Sequence, residues 1–259
     1  MPSRWLGSSK PVPPYSKLAG IYDFVMQHVP YDEWAGYLHH LFEMADLRVH
    51  NVLDIACGTG SLMLELANKG YSVSGFDSSK EMAALAAEKL AKAGKPGRAW
   101  SGSMTEFALR RRFDAVVYTY DSLNYCQEIA ECAQVFTRVA AVLEPGGVFV
   151  FDVTTQSNSK RHFRNYYDKE GTPEFEYIRQ SQYDTRTNTQ VNEFLIRWRN
   201  DGESYREFHS QQIYRLSEIC GAIPARFFSL SGPFDGFSTR PGNENSERVT
   251  FLLKRKPLT

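Results

Sequence analysis

Apolar positions run along this chain in two rhythms. Between residues 51 and 153, short and nearly continuous apolar runs alternate with longer stretches where apolar residues return every three or four positions. In order, NVLDIA precedes GSLMLELANKG, YSVSGFD precedes SSKEMAALAAEKLAKAG, FDAVVYTYDSL precedes IAECAQVFTRVAAVL, and GVFVFDV closes the series. The runs predict strands buried on both faces and the stretches predict amphipathic helices, so the alternation predicts a parallel sheet between helices. Gly70 and Gly94 suit helix ends, Ser78 and Glu81 are spaced as a capping box, and GRAWSGS adds a further strand. After Val153 the rhythm changes. FEYIRQSQYD, TQVNEFLIRWR and ESYREFHSQQIY alternate polar with apolar residues, and NDG between the last two predicts a hairpin turn, hence an antiparallel insertion. A short helix in YRLSEICGAIP and two strands, ARFFSLSG and RVTFLLKRK, end the chain. Ahead of the first strand, residues 1–14 are rich in proline and serine and predicted to be loose, and residues 15–47 read as two aromatic helices broken at Pro30.

The predicted fold is α/β, a Rossmann-like, seven-stranded, mostly parallel sheet with helices on both faces. Residues 1–47 form a helical cap, 48–154 with 214–259 the core, and 155–213 an antiparallel lid. Composition narrows the function classes. Thirty basic and thirty acidic residues among 259 leave no net charge, which argues against a nucleic-acid partner. No apolar run has the length of a membrane span, and MPSRWLGSSKPVPPYSK lacks the apolar centre of a secretion signal, so the expectation is a soluble, cytoplasmic protein with no membrane contact. Cys57, Cys126, Cys132 and Cys220 lie in apolar or helical stretches without metal-type spacing, so buried thiols are expected and no metal site.

Chemistry enters with DIACGTG, residues 54–60, between the first strand and its helix. Glycines there suit a turn at positive φ or the close approach of a ligand. The third glycine of a dinucleotide fingerprint is missing, because Met63 stands three residues after Gly60. Asp77 closes the second strand seventeen residues after Gly60, where a carboxylate accepts from two ribose hydroxyls. The combination suits a nucleoside, with no need for a pyrophosphate.

VLDIACGTG, VSGFDSSKEM, FDAVVYTYDSLNY and LEPGGVFVFDV, in this order and spacing, resemble the successive motifs of class I S-adenosylmethionine-dependent methyltransferases over residues 51–154. AGIYDFVMQHVPYDEW further resembles the small-molecule branch that includes glycine and sarcosine N-methyltransferases and amino-sugar N,N-dimethyltransferases. The resemblance implies S-adenosyl-L-methionine as cofactor and S-adenosyl-L-homocysteine as product. It places Asp54, Ala56, Cys57, Gly58 and Gly60 around the methionyl end, Asp77 on the ribose, and Ser78 and Met82 beside the adenosine. Ser103 stands where the family commonly has an aspartate for the adenine amino group, with Met104 next to it, and Tyr120, Asp121 and Leu123 fall near the sulfonium. Tyr22 and Trp34 are candidate aromatic neighbours of that charge, with a structural role in the helices as the alternative.

Methyl transfer needs a lone pair held behind the methyl group in a water-poor pocket, and a base only when the acceptor arrives protonated. Tyr22 and His209 are the candidate catalytic residues, with His162 a second base candidate; a histidine on a strand also serves as ordinary packing. Arg161, Arg164, Tyr166, Tyr167, Tyr177, Arg179, Tyr183, Arg197 and Trp198 give the insertion a composition that suits either a pocket for a polar or anionic small molecule or a homodimer interface. The expected function is methyl transfer to an amine, hydroxyl or carboxylate of a small metabolite. Rival readings are a cofactor-sensing protein without turnover, another group transfer on the same fold, and an NAD-dependent oxidoreductase.

Overall fold

The computed structural model describes residues 9–200 and 202–257. In chain order it contains Lys10–Pro11 (β1), Tyr22–Val25 (α1), Tyr31–Met44 (α2), Asn51–Ile55 (β2), Ser61–Asn68 (α3), Ser72–Asp77 (β3), Lys80–Lys92 (α4), Gly97–Ser101 (β4), Phe113–Tyr118 (β5), Ile129–Val142 (α5), Leu143–Thr154 (β6) and Gln156–His162 (α6). Asn165–Gly171 (β7), Phe175–Asp184 (β8), Thr189–Trp198 (β9), Ser204–Gln212 (β10), Leu216–Ala222 (α7), Phe228–Asp235 (β11) and Arg248–Arg255 (β12) follow.

The main sheet has seven strands in the order β11-β12-β6-β5-β2-β3-β4. β4, β3, β2, β5 and β6 are mutually parallel, and β12 and β11 run antiparallel at one edge. Both faces are buried, as the continuous apolar runs predict. On β6, Val148 and Val150 join the cluster under α2 and α3, whereas Phe149 and Phe151 join the opposite cluster with α5 and α7. Phe151 stacks on Phe251 of β12 with rings 2° apart in plane, which locks the antiparallel edge to the parallel core. Parallel strands place their carboxyl ends side by side, and the loops after β2, β3 and β5 therefore open on the same edge of the sheet.

The insertion supplies four strands of a second sheet, β1-β10-β9-β8-β7, to which the N-terminal segment adds β1, and its inner face contributes Phe175, Tyr177, Phe194 and Ile196 to the cluster beneath the N-terminal helices. Three of its strands match the predicted extended segments. β7 was not foreseen: NYYDKEG is almost wholly exposed, an edge strand without apolar alternation. In the predicted NDG turn, Gly202 has the expected positive φ of 70°, while Asp201 lies outside the described residues. Of the segment predicted to be loose, residues 1–8 also lie outside them; Lys10–Pro11 correct the remainder, pairing in parallel with β10. The cap of α4 is Ser79, whose hydroxyl accepts from the Met82 N–H at 3.1 Å, so Ser78 and Glu81 do not form the predicted capping box. Among the described residues no helix is long and apolar enough to cross a membrane.

Candidate active site

Two cavities open at the carboxyl edge of the parallel strands. The first, of about 640 Å³, lies over the ends of β2 and β3 and is lined by Ala56, Gly58, Asp77, Ser78, Met82 and Met104, among others. The second, of about 350 Å³, reaches from Asp54 and Cys57 up to the inner face of the second sheet, at Arg179, Gln190, Asn192, His209 and Gln211. Tyr15, Tyr22, Ala56, Gly58, Ser122 and Tyr125 line both, so one wall separates them.

The glycine turn builds the floor. Ala56, Gly58 and Gly60 all have positive φ, at 54°, 55° and 78°. A side chain on Gly58 would start 3.9 Å from the Tyr22 ring, so the turn passes close beneath that tyrosine. At Gly60 a Cβ would meet Ala86 of α4 at 2.8 Å; this glycine permits the packing of α4 against the turn and lines neither cavity. Asp77 accepts the Gly58 N–H at 3.0 Å and the Ser79 N–H at 2.9 Å, which fixes its carboxylate facing the larger cavity. Asp54 is buried, and its Oδ2 has no hydrogen-bond partner among the described residues. Burial raises the pKa of both carboxyls; at Asp77 the two N–H donors oppose the rise, and at Asp54 the charge of Asp77 adds to it. An unpartnered buried carboxylate beside an open cradle fits a ligand with a positive charge and a nucleoside body.

The loop after β5 holds Tyr120 and Asp121 at φ 61° and 50°. Their N–H groups donate to the buried Asp152 carboxylate at 2.6 and 2.9 Å, which offsets the strain. Arg248 bonds Asp152 and, at 2.6 Å, Asp121, and its guanidinium lies 4.8 Å from the Tyr120 ring centre. Burial opposes the charge on Arg248, but attraction to Asp152 and Asp121 outweighs it and its pKa is raised.

A polar chain crosses the shared wall. Glu207 accepts the N–H groups of Tyr15, Lys17 and Leu18 at 2.7, 2.6 and 2.9 Å and faces His209 Nε2 at 3.1 Å. Burial pushes the Glu207 pKa up, but these donors outweigh it and hold it below the usual range. An ionised Glu207 accepts from an N–H on His209 Nε2, which leaves Nδ1 to accept from the Tyr125 hydroxyl at 3.3 Å; Tyr125 is in turn hydrogen-bonded to the Tyr15 hydroxyl. A proton released at the wall thus has a path through two hydroxyls to an imidazole backed by a carboxylate.

Of the predicted residues, Tyr22, Asp54, Ala56, Cys57, Gly58, Asp77, Ser78, Met82, Met104, Tyr120, Asp121 and His209 line one cavity or both. His162 also lines the smaller one, but its Nε2 is engaged with Glu247 at 2.9 Å. Trp34 does not; it is buried with its ring edge-on to Phe237 and 5.9 Å from the Arg248 guanidinium, because α2 turns that face toward the core. Leu123 is buried beneath the β5 loop in the core, and Ser103 is turned to Thr105, bonding its hydroxyl and its N–H. Arg179 and Tyr166, two of the insertion residues expected to suit a pocket, line the smaller cavity, whereas Tyr15, Tyr125, Glu207 and Arg248 enter the site through contacts distant in sequence.

A family model described as a methyltransferase domain matches residues 52–147. YqeM of Bacillus subtilis (strain 168), which carries a provisional methyltransferase name, is 30% identical over 247 residues, covering 93% of this chain and 97% of its own. A dTDP-3-amino-3,6-dideoxy-alpha-D-glucopyranose N,N-dimethyltransferase of Streptomyces fradiae is 32% identical over 138 residues, 52% of each chain. Among solved structures, an S-adenosylmethionine-dependent methyltransferase from Clostridium acetobutylicum ATCC 824 superposes with a TM-score of 0.80 at 25% identity, covering 94% of this chain and 99% of that one. The sugar N-methyltransferase KedS8 from Streptoalloteichus sp ATCC 53650 shares the fold, with a TM-score of 0.75 at 19% identity over 90% of this chain and 91% of its own.

Proposed function

We propose, for a chain that belongs to the class I S-adenosylmethionine-dependent methyltransferases, that it methylates an amine nitrogen of a small polar metabolite held in the cavity of about 350 Å³. The observation that carries this reading is the single wall of Tyr15, Tyr22, Ala56, Gly58, Ser122 and Tyr125 between a nucleoside-sized cavity and a polar one. Such a wall brings donor and acceptor end to end, as an in-line displacement requires.

The larger cavity fits the cofactor by its own residues: Asp77 for the ribose hydroxyls, the Gly58 turn for close backbone approach, and Ser78, Met82 and Met104 along the nucleoside; the unpartnered Asp54 Oδ2, on the floor of the adjoining cavity, suits the positive charge. The bound cofactor supplies a methyl group on a positively charged sulfur. The chain's own part is to position and desolvate. Tyr22 lies over the turn, and burial, with Tyr31 nearby, keeps its phenol neutral and able to donate. An amine in water carries a proton that must leave before its lone pair is free, and the Tyr15, Tyr125, His209, Glu207 chain offers that proton a destination. The names of the Streptomyces fradiae and Streptomyces venezuelae relatives, both amino-sugar N,N-dimethyltransferases, support an amine acceptor.

The test is incubation with methyl-deuterated S-adenosylmethionine and matched sets of small amines, alcohols and carboxylic acids, read by mass spectrometry. Label is expected in amines. Label confined to alcohols or acids contradicts the amine assignment, and no label in any set despite bound cofactor contradicts turnover.

A further inference from the structure

Two charged groups lining the acceptor cavity have no ion-pair partner among the described residues, Asp54 at its floor and Arg179 on the second sheet. Arg248 is paired with Asp121 and Asp152, His209 with Glu207, and His162 with Glu247. Arg179, on β8, lines the same cavity, and no carboxylate lies within ion-pair distance of it among the described residues. Its polar contact is the Asn192 side-chain oxygen, which accepts from one terminal nitrogen at 3.1 Å, and its Nε is buried with no acceptor.

Three aromatic rings hold the guanidinium. Its centre lies 5.3 Å from the rings of Phe163 and Tyr166 and 5.5 Å from that of Phe194. Ring faces attract the cation but accept little from its N–H groups, and the N–H edge of a guanidinium is the part that matches a two-oxygen anion. An arginine used only for packing is met by an acid or by carbonyl oxygens; here the partners are three rings and one amide oxygen, and Nε has no acceptor. The neighbours on the inner face, Gln190, Asn192 and Gln211, are neutral amides, and Gln211 donates to Asp121 at 2.7 Å.

We infer that the methyl acceptor carries an anionic group, a carboxylate or a phosphate, and that Arg179 binds it and so selects the substrate. This rests on the methyl-transfer reading of the same cavity. The anion would sit at the lid end of the cavity, leaving the amine for the end bounded by Tyr15, Tyr22 and Tyr125.

The experiment uses the full chain saturated with S-adenosylhomocysteine and titrated at constant ionic strength with malonate, inorganic phosphate or chloride, read as melting temperature. Malonate or phosphate is expected to raise it by on the order of 2–5 °C at about tenfold over its dissociation constant. Which of the two protects identifies the group. Arg179→Met should abolish the rise, and Arg179→Lys, which keeps the charge and loses the fork, should need at least about tenfold more anion. No rise with either anion in the wild type overturns the inference, and so does a rise that persists in Arg179→Met. The wild-type titration decides even if a variant fails to fold. Failure of the wild type to bind S-adenosylhomocysteine at the outset is a separate result, which would remove the methyl-transfer reading beneath it.

Discussion

Asp54 and Asp77 bring two carboxylates to the same turn under different terms. Asp77 has two backbone donors, whereas Asp54 Oδ2 has none, and burial raises the pKa of both. A carboxyl whose folded pKa lies above its unfolded one holds a proton that the unfolded chain lacks between those values. Stability is therefore greatest below the unfolded pKa, about 3.9, and falls as pH rises toward the folded pKa. Asp54→Asn should flatten this slope in ligand-free protein and stabilise it at neutral pH by about 1–3 kcal/mol, as calorimetry across pH would show. The same variant should bind S-adenosylhomocysteine more weakly, and a stability curve parallel to the wild type would contradict the buried charge. Asp77→Ala should cost about 2 kcal/mol of S-adenosylhomocysteine affinity, roughly thirtyfold, because it removes the acceptor for the ribose hydroxyls. Unchanged affinity in a titration would place the ribose elsewhere.

At the scale of the element, β10 decides how the site closes. Glu207, His209 and Gln211 alternate along it and are buried, while Phe208 between them is 50% exposed. Binary patterning taken alone would turn Phe208 inward, and the inversion is what makes the inner face of the second sheet polar. Glu207 then holds the Tyr15, Lys17 and Leu18 amides, 192 to 189 positions away in sequence. Glu207→Ala should release this segment: hydrogen exchange at those three amides should rise by roughly tenfold or more, and S-adenosylhomocysteine should dissociate faster. Glu207→Gln, which keeps one acceptor oxygen, should fall between, and unchanged protection in the alanine variant would refute the clasp.

These elements also mark how far the sequence could be read. The strands, the helices and the glycine turn were legible because their determinants lie within ten or so residues, as did Asp54 and Asp77 at strand ends. Trp34 and Leu123 were misassigned because sequence spacing gives a helical or loop position without the face that meets the cavity. Arg179 was legible as one of several insertion residues suited to a pocket, but Tyr15 and Arg248 were not, because only the tertiary pairing of β1 with β10 and of β12 with β6 brings them there.

For the whole molecule, the account rests on two cavities sharing a wall, one formed by the parallel sheet and one completed by the second sheet and the N-terminal segment. Tyr15 lines both and is anchored on both sides, by Glu207 and through the Ser79 hydroxyl, which donates to its carbonyl at 2.9 Å. Pro13, Pro14 and Ser16 also line the larger cavity, so binding and release of a nucleoside should be gated by this segment. Tyr15→Ala should accelerate S-adenosylhomocysteine dissociation in stopped-flow measurements; an unchanged rate would show that the segment does not gate the cavity.

The measurement that tests the central claim most directly is a crystal structure of the protein with S-adenosylhomocysteine. The account predicts ribose hydroxyls on Asp77, the adenosine along Ser78, Met82 and Met104, and the sulfur at the wall of Tyr15, Tyr22 and Tyr125, facing the cavity that holds Arg179. A ligand whose sulfur points away from that wall, or that lies outside the cavity at Asp77, would contradict it.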